Sequence, residues 1–207
     1  MFAHSFSTSL SEEELHVDPM EQFRQWFEEI STFEHLDHPE AMIVATASAE
    51  GRPSARTVLM KQFDERGIVF FTNYTSAKGQ ALEANPYAEA VFYWEPLARQ
   101  VRISGPVEKL SREESNAYYQ SRAHGSRIGA WASPQSQKIS SREELEARIA
   151  EVEARFEGQD PPCPDFWGGF RILATEIEFW QGRDFRVHDR FVYQKEAGQW
   201  KPARLAP

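Results

Sequence analysis

AMIVATASAEGRPSARTVLMKQFDERGIVFFTN, Ala41 to Asn73, is the stretch on which the reading of the fold turns. Its runs AMIVATAS, SARTVLMK and GIVFFTN are short and rich in β-branched and aromatic residues. The turn signals AEGRP and DERG separate them, so the segment predicts three strands. Toward the C-terminus, SAKGQALEAN predicts a short helix stopped by Asn85-Pro86, and strands return in AEAVFYWE and RQVRISGPVEKL. Ser111 with Glu114, and Ser141 with Glu144, have capping-box spacing and open the helices REESNAYYQSR and EELEARIAEVEARF. Leu145, Ile149, Val152 and Phe156 make an apolar stripe on the second. A Pro-rich linker, GQDPPCPD, leads to final strands in RILATEIEFW, RVHDRFVYQ and QWKPARL. Toward the N-terminus, DPMEQFRQWFEEI predicts a helix with Asp18 as cap, Pro19 at its first position and Glu21 completing a capping box. Phe23, Phe27 and Ile30 recur at helical spacing and face the core. Residues 1–17 are polar, contain no Lys or Arg and read as a flexible arm before a single domain spanning 18–207. Short, closely spaced strands with a few helices predict a mainly β fold, a β-barrel decorated by helices rather than a doubly wound sheet.

Composition narrows the function. The 207 residues carry 23 basic and 32 acidic side chains, a formal charge of −9. That balance argues against nucleic acid as the main partner, because a phosphate backbone demands a basic field. A small anion in a local basic pocket remains compatible with it. Cys163 is the single cysteine, so no intrachain disulfide forms. The N-terminal MFAHSFSTSL lacks the pattern of a secretory signal, and no apolar run approaches the length of a membrane span, so a cytoplasmic protein is expected.

Metal ligation is a poor fit: of six histidines only His35 and His38 are close, in a turn-like HLDHPE without further ligands. Cys163 sits in the linker and no GxSxG elbow is present; nor is GxGxxG or a Walker motif. Anion recognition fits better. Arg56 and Lys61 stand at the two ends of one expected strand. Ser76 and Lys78 start a helix, where free N–H groups and the dipole favour an anion. Tyr118, Arg122 and Ser126 stand at a helix end and the loop beyond, and GSRIGAWASPQS reads as a loop carrying Gln135 and Ser136. Singly, each set is more often a solvated face or a cap; together they supply two phosphate-sized sites. WQGRDFRVHDR, Trp180 to Arg190, adds Arg186, His188 and Arg190 at alternate positions, on one side of an expected strand. Such a row is commonly a charged edge strand; here it can also face an anion.

The ordered motifs RTVLMK, FFTNYTSAKG, RQVRISG, GSRIGAWASPQS, FWGGFRI, IEFWQG, RVHDRF and RLAP resemble the pyridoxine/pyridoxamine 5′-phosphate oxidase family of flavoproteins, from about Asp18 to Pro207. The resemblance implies an FMN-binding split barrel and a homodimer with two FMN sites, each lined by both subunits, with GIVFFTN expected in the shared core. It implies hydride transfer from C4′ of a phosphorylated B6 vitamer to flavin N5, then reoxidation by O2 with release of H2O2. The product is pyridoxal 5′-phosphate, with ammonia when the amine is oxidised. By the same resemblance Arg56 and Lys78 hold the FMN phosphate, with Gln135 and Ser136 on the same cofactor. The run Thr57, Val58, Leu59, Met60, Lys61 and the pair Phe71-Thr72 lie along the flavin, and Gln100, Trp180 and Arg190 contact the ring system. Lys61, Tyr118, Arg122 and Ser126 clamp the substrate phosphate, and Arg186 and His188 lie over the substrate ring. The chain departs from the family in Ala77, where an arginine is common, in Phe71, where a tyrosine is common, and in an N-terminal arm without arginine or tyrosine. Two other functions compete: a related oxidase of phenazine biosynthesis acting on a reduced tricyclic intermediate, and a non-catalytic flavin- or pyridoxal-phosphate-binding protein. The full phosphate clamp favours a phosphorylated substrate over the first, and Arg186 with His188 argues against the second.

Overall fold

The computed structural model describes residues 9–207, and in it Ala41–Asn73 folds as β1 (Ala41–Ala47), β2 (Pro53–Leu59), β3 (Gln62–Asp64) and β4 (Gly67–Asn73). β1 buries Met42, Val44 and Thr46 and exposes Ile43, the period of a strand with one face in a core. β4 is buried on both faces, and Ile68, Val69 and Phe70 are fully covered within one chain. Of the apolar side chains of this strand, only Phe71 is left half-buried, on the cavity side, for a partner subunit to meet. β5 (Tyr87–Trp94), β6 (Arg99–Lys109), β7 (Trp167–Leu173), β8 (Glu176–Gln181), β9 (Asp189–Glu196) and β10 (Gln199–Leu205) complete the sheet.

Every strand pair is antiparallel, in the order β10-β9-β8-β6-β5-β1-β2. β6 serves two partners along one edge. Arg99–Ser104 pairs with β8, and Val107–Lys109 pairs with β7, which pairs onward with β4. The Lys61 N–H donates to the Val69 carbonyl at 2.8 Å and extends the β3–β4 ladder back toward the end of β2. β8, β9 and β10 continue from β6 as a flap, so the barrel is split, as the motifs imply. Two expected strands differ. RILATEIEFW is broken at Ala174-Thr175 into β7 and β8. RVHDRFVYQ becomes strand only from Asp189, because Phe185 and Arg186 adopt φ of 58° and 62° in a short 3-10 turn. Arg186 and His188 therefore do not share a strand face with Arg190.

The helices are α1 (Pro19–Ile30), α2 (Ala77–Ala84), α3 (Arg112–Ser121), α4 (His124–Ala132) and α5 (Arg142–Arg155). Asp18 caps α1 by accepting from the Met20 N–H, but Glu21 pairs with Arg24 at 3.1 Å and does not close a capping box. Ser111 and Glu114 form theirs. α4 corrects the expected loop GSRIGAWASPQS: Ile128 and Ala132, one turn apart, are buried, and only Ser133 onward is irregular. α5 packs on α4 through Trp131 and Phe156, ring centroids 5.4 Å apart, and its apolar stripe is half-buried. Of the expected N-terminal arm, residues 1–8 lie outside the described residues. Residues 9–17 pack on β9: Leu10 is buried, its N–H donates to Asp189 Oδ2 at 3.2 Å, and Tyr193 Oη donates to the His16 carbonyl at 2.8 Å. Among the described residues no helix is long and apolar enough to cross a membrane.

α1 fills the barrel core. Phe23 meets Phe63, Phe92 and Trp94 with centroids 5.1 to 6.0 Å apart, and Trp26 meets Phe179 edge-on. Phe23 and Ile30 are fully buried, while Phe27 is only half-buried. Phe23→Ala should destabilise the fold by about 3–5 kcal/mol. Denaturant unfolding checks this as a lowered midpoint at unchanged slope.

Candidate active site

A cavity of about 450 Å³ opens between the end of β2, β4, the start of α2, the helices α3 and α4, and the loop after α4. Ser76 caps α2 and accepts from the Gly79 N–H. A Cβ at Gly79 would fall 2.2 Å from the Tyr74 carbonyl, so only glycine lets the helix start dock against the preceding turn. That docking buries Lys78, 7% exposed, in the cavity wall.

Among the described residues, Lys78, Arg56 and Arg122 have no carboxylate partner. Lys78 Nζ donates to Thr72 Oγ1 at 2.9 Å and Gln135 Oε1 at 3.4 Å, both neutral. Burial first, and the nearby Arg56 second, push its pKa down to about 8. Arg56 donates to the Val44 carbonyl, Thr46 Oγ1 and Ser54 Oγ, again without a carboxylate, and burial lowers its pKa. Across the cavity, Arg122 lies 4.8 Å over the Trp167 ring, and its buried Nη1 has no hydrogen-bond partner. Burial lowers its pKa and raises that of Tyr118. Lys61 comes no closer than 4.0 Å to Glu40. Uncompensated buried charge is costly. Lys78 is buried and Arg56 and Arg122 half-buried without a carboxylate, while Lys61 is exposed, so in a chain with an acidic surplus this is a place able to take anions. Phe71 stacks on Tyr118 with ring centroids 3.9 Å apart, and Trp167 stacks on Phe71 at 5.4 Å.

Most expected residues gather in this cavity: Thr57, Val58, Leu59, Lys61, Phe71, Thr72, Lys78, Tyr118, Arg122, Ser126 and Gln135 line it. Some placements differ. Lys61 stands past the end of β2, not on it, and Ser126 is on α4, not in a loop. Met60 turns into the hydrophobic core. Arg56 lies beside the cavity rather than on its wall, and Ser136, with φ of 72°, lies just outside it. Gln100, Trp180 and Arg190 form a second group, aligned by strand register on one face of the flap. His188 joins them, its ring 4.6 Å from Trp180. Neither these residues nor Arg186 line the cavity of their own chain. Asn73, Gly129, Ser133 and Trp167 line it without having been expected. Asn73 and Trp167 meet through the β4–β7 register, a pairing no local signal announces.

Fold and cavity together define a split-barrel protein with a cation-lined pocket. A family model described as pyridoxamine 5′-phosphate oxidase matches residues 27–156. A second, described as the pyridoxine 5′-phosphate oxidase C-terminal dimerisation region, matches residues 167–207. The chain is 53% identical to a pyridoxine/pyridoxamine 5′-phosphate oxidase of Rubrobacter xylanophilus, over 96% of this chain and 91% of that protein. It is 54% identical to one of Pseudomonas paraeruginosa, over 96% and 93%. Among solved structures it resembles PhzG from Burkholderia lata 383 in complex with tetrahydrophenazine-1-carboxylic acid, with 30% identity, a TM-score of 0.90 and coverage of 97% and 98%. The chain belongs to the pyridoxine/pyridoxamine 5′-phosphate oxidase family.

Lys78 carries a pH signature. Its pKa of about 8 in the fold lies below the ordinary 10.5, so between these values the unfolded chain binds the extra proton. The ligand-free protein should therefore gain stability from this group as pH rises through that window. A dianion bound beside Lys78 favours the charged ammonium, so binding at about pH 9 should take up protons. Calorimetric titration in buffers of different ionisation enthalpy measures the uptake, and Lys78→Met should abolish it.

Proposed function

We propose that the protein is an FMN-dependent oxidase that converts pyridoxine 5′-phosphate or pyridoxamine 5′-phosphate to pyridoxal 5′-phosphate. O2 is the electron acceptor and H2O2 the product. The observation that carries this reading is a set of cations in and beside one cavity, Lys78, Arg122 and Arg56, that have no carboxylate partner among the described residues, next to an aromatic stack. Arg56 and Lys78 hold the FMN phosphate. The segment Thr57–Lys61, Phe71, Thr72, Gln135 and Ser136 lies along the cofactor, with Met60 contributing backbone because its side chain is in the core. Bound FMN supplies two-electron acceptance from the substrate's C4′ carbon and delivery of those electrons to O2.

The chain's own residues bind and align the substrate. Lys61, Tyr118, Arg122 and Ser126 clamp its phosphate; the partnerless Nη1 of Arg122 is a donor already turned into the protein interior. Arg186 and His188 lie over the substrate ring, where a flat guanidinium fixes the distance of the reacting carbon. The protein is a homodimer, and Gln100, Trp180, Arg186, His188 and Arg190 reach the cavity of the partner subunit. Two things support this: these residues do not line their own cavity, and four of the five fall in the region matched to the dimerisation model. A cytoplasmic location fits the single free cysteine, Cys163.

The likeness to PhzG keeps a phenazine-type oxidation as the second reading. The relatives at 53–54% identity carry the vitamin B6 name, and the phosphate clamp has no use on a substrate without phosphate. Kinetics separate the two. Arg122→Ala removes charge-assisted hydrogen bonds made equally in ground and transition states. KM for both phosphorylated vitamers should rise on the order of ten- to a hundredfold with little change in kcat. Arg186→Ala should lower kcat as well, because alignment is lost. Oxygen-consumption assays measure both, and an unchanged KM in Arg122→Ala would put the phenazine-type substrate first. Mixing the two variants should restore part of the activity, since an exchanged dimer contains one site built from intact halves.

A further inference from the structure

We infer that Glu178 is a positioning residue that aims Arg190, together with the backbone carbonyl of Ala206. The inference rests on the reading above that Arg190 contacts the flavin.

Arg190 and Trp180 are direct partners in the β8–β9 register, and Trp180 is in turn the partner of Gln100 on β6. The Arg190 side chain does not stay over Trp180. It crosses diagonally to Glu178, the next residue along β8 on the same face. Its Nε donates to Glu178 Oε1 at 2.8 Å, and its Nη1 donates to the Ala206 carbonyl at 2.8 Å. Among the described residues Nη2 makes no hydrogen bond. Two of the guanidinium's three nitrogens are thus fixed inside the chain, which sets the plane of the group and leaves the third nitrogen able to donate elsewhere.

Glu178 is itself held. It is only 5% exposed, and its second oxygen accepts from Arg102 Nη1 at 2.9 Å. Arg102 grips Glu89 on β5 through Nε and Nη2, at 2.5 and 3.0 Å. The carboxylates Glu89 and Glu178 alternate with the guanidinium groups of Arg102 and Arg190 across β5, β6, β8 and β9. The charges of this row cancel. Arg190 therefore differs from Arg56, Lys78 and Arg122: it offers an oriented donor and no uncompensated charge. Its contribution to cofactor binding is directional, and a lysine, with neither Nε nor a planar fork, cannot reproduce it. The C-terminal motif RLAP gains a local purpose as well, because Ala206 supplies the second anchor.

The test is FMN binding to the ligand-free dimer, followed by quenching of flavin fluorescence. Arg190→Ala and Glu178→Gln are each expected to raise the dissociation constant on the order of tenfold. The double variant should bind no worse than Arg190→Ala alone, since Glu178 acts only through that side chain. A merely structural Glu178 would instead add its own loss in the double variant, and that result overturns the inference. So does wild-type affinity in Glu178→Gln when Arg190→Ala is weakened. Wild-type affinity in Arg190→Ala would remove the flavin contact itself, and this inference with it. Dimer mass and the thermal midpoint without FMN accompany each variant. Should Glu178→Gln not fold, a chain stopped after Leu205 takes its place. It removes the Ala206 anchor and should raise the constant severalfold, whereas unchanged affinity overturns the inference.

Discussion

One edge of β6 serves two strands, and the rest of the molecule depends on how it changes partner. The change falls at Gly105, between the β8-paired and β7-paired stretches. A Cβ there would sit 1.8 Å from the Leu173 carbonyl, so a side chain would push β7 away. Without that approach β7 could not bring Trp167 to Asn73, and the cavity would lose a wall. The flap β8–β10 would also lose its fixed relation to the barrel, and with it the place of Trp180 and Arg190. A steric constraint of one methyl group's size thus organises both halves of the site.

The two halves solve opposite electrostatic problems. The cavity keeps Arg56, Lys78 and Arg122 without carboxylate partners, in a chain with nine more acids than bases. This arrangement lowers the stability of the empty protein and reserves binding energy for dianions. The flap does the reverse. Glu178 and Glu89 neutralise Arg102 and Arg190, and what remains is geometry. On the proposed reading, anion affinity resides in one half and alignment in the other. The Phe71–Tyr118–Trp167 stack forms the aromatic side of the cavity.

How much of this was legible follows the range of the interactions. Caps and strand runs are local: Asp18, Ser111 and Ser141 each accept from a backbone N–H of the first helical turn, although on α5 Glu144 takes the Ser140 N–H and leaves the expected box with Ser141 unclosed. Glu21 failed as a capping-box partner because Arg24, one turn on, took its carboxylate. Two glycines masked the helical period of α4, whose buried face emerges only in the packed protein. Arg186 and His188 left the strand through positive φ at Phe185 and Arg186, ordinary residues that carry no sign of it. Met60, read as lining the cofactor, turns inward because β2 ends at Leu59. Asn73 and Trp167 were out of reach because their meeting depends on a register set 94 residues apart in sequence.

If the flap serves the partner's cavity, as proposed, the division of the site between cavity and flap makes catalysis a second-order property of the chain. In the dimeric reading a lone subunit has a place for the phosphates and nothing over the rings. Its neighbour's flap must arrive before any turnover is possible, so specific activity becomes a function of the protein's own concentration. Below the dimer's dissociation constant, dilution silences the protein without unfolding it.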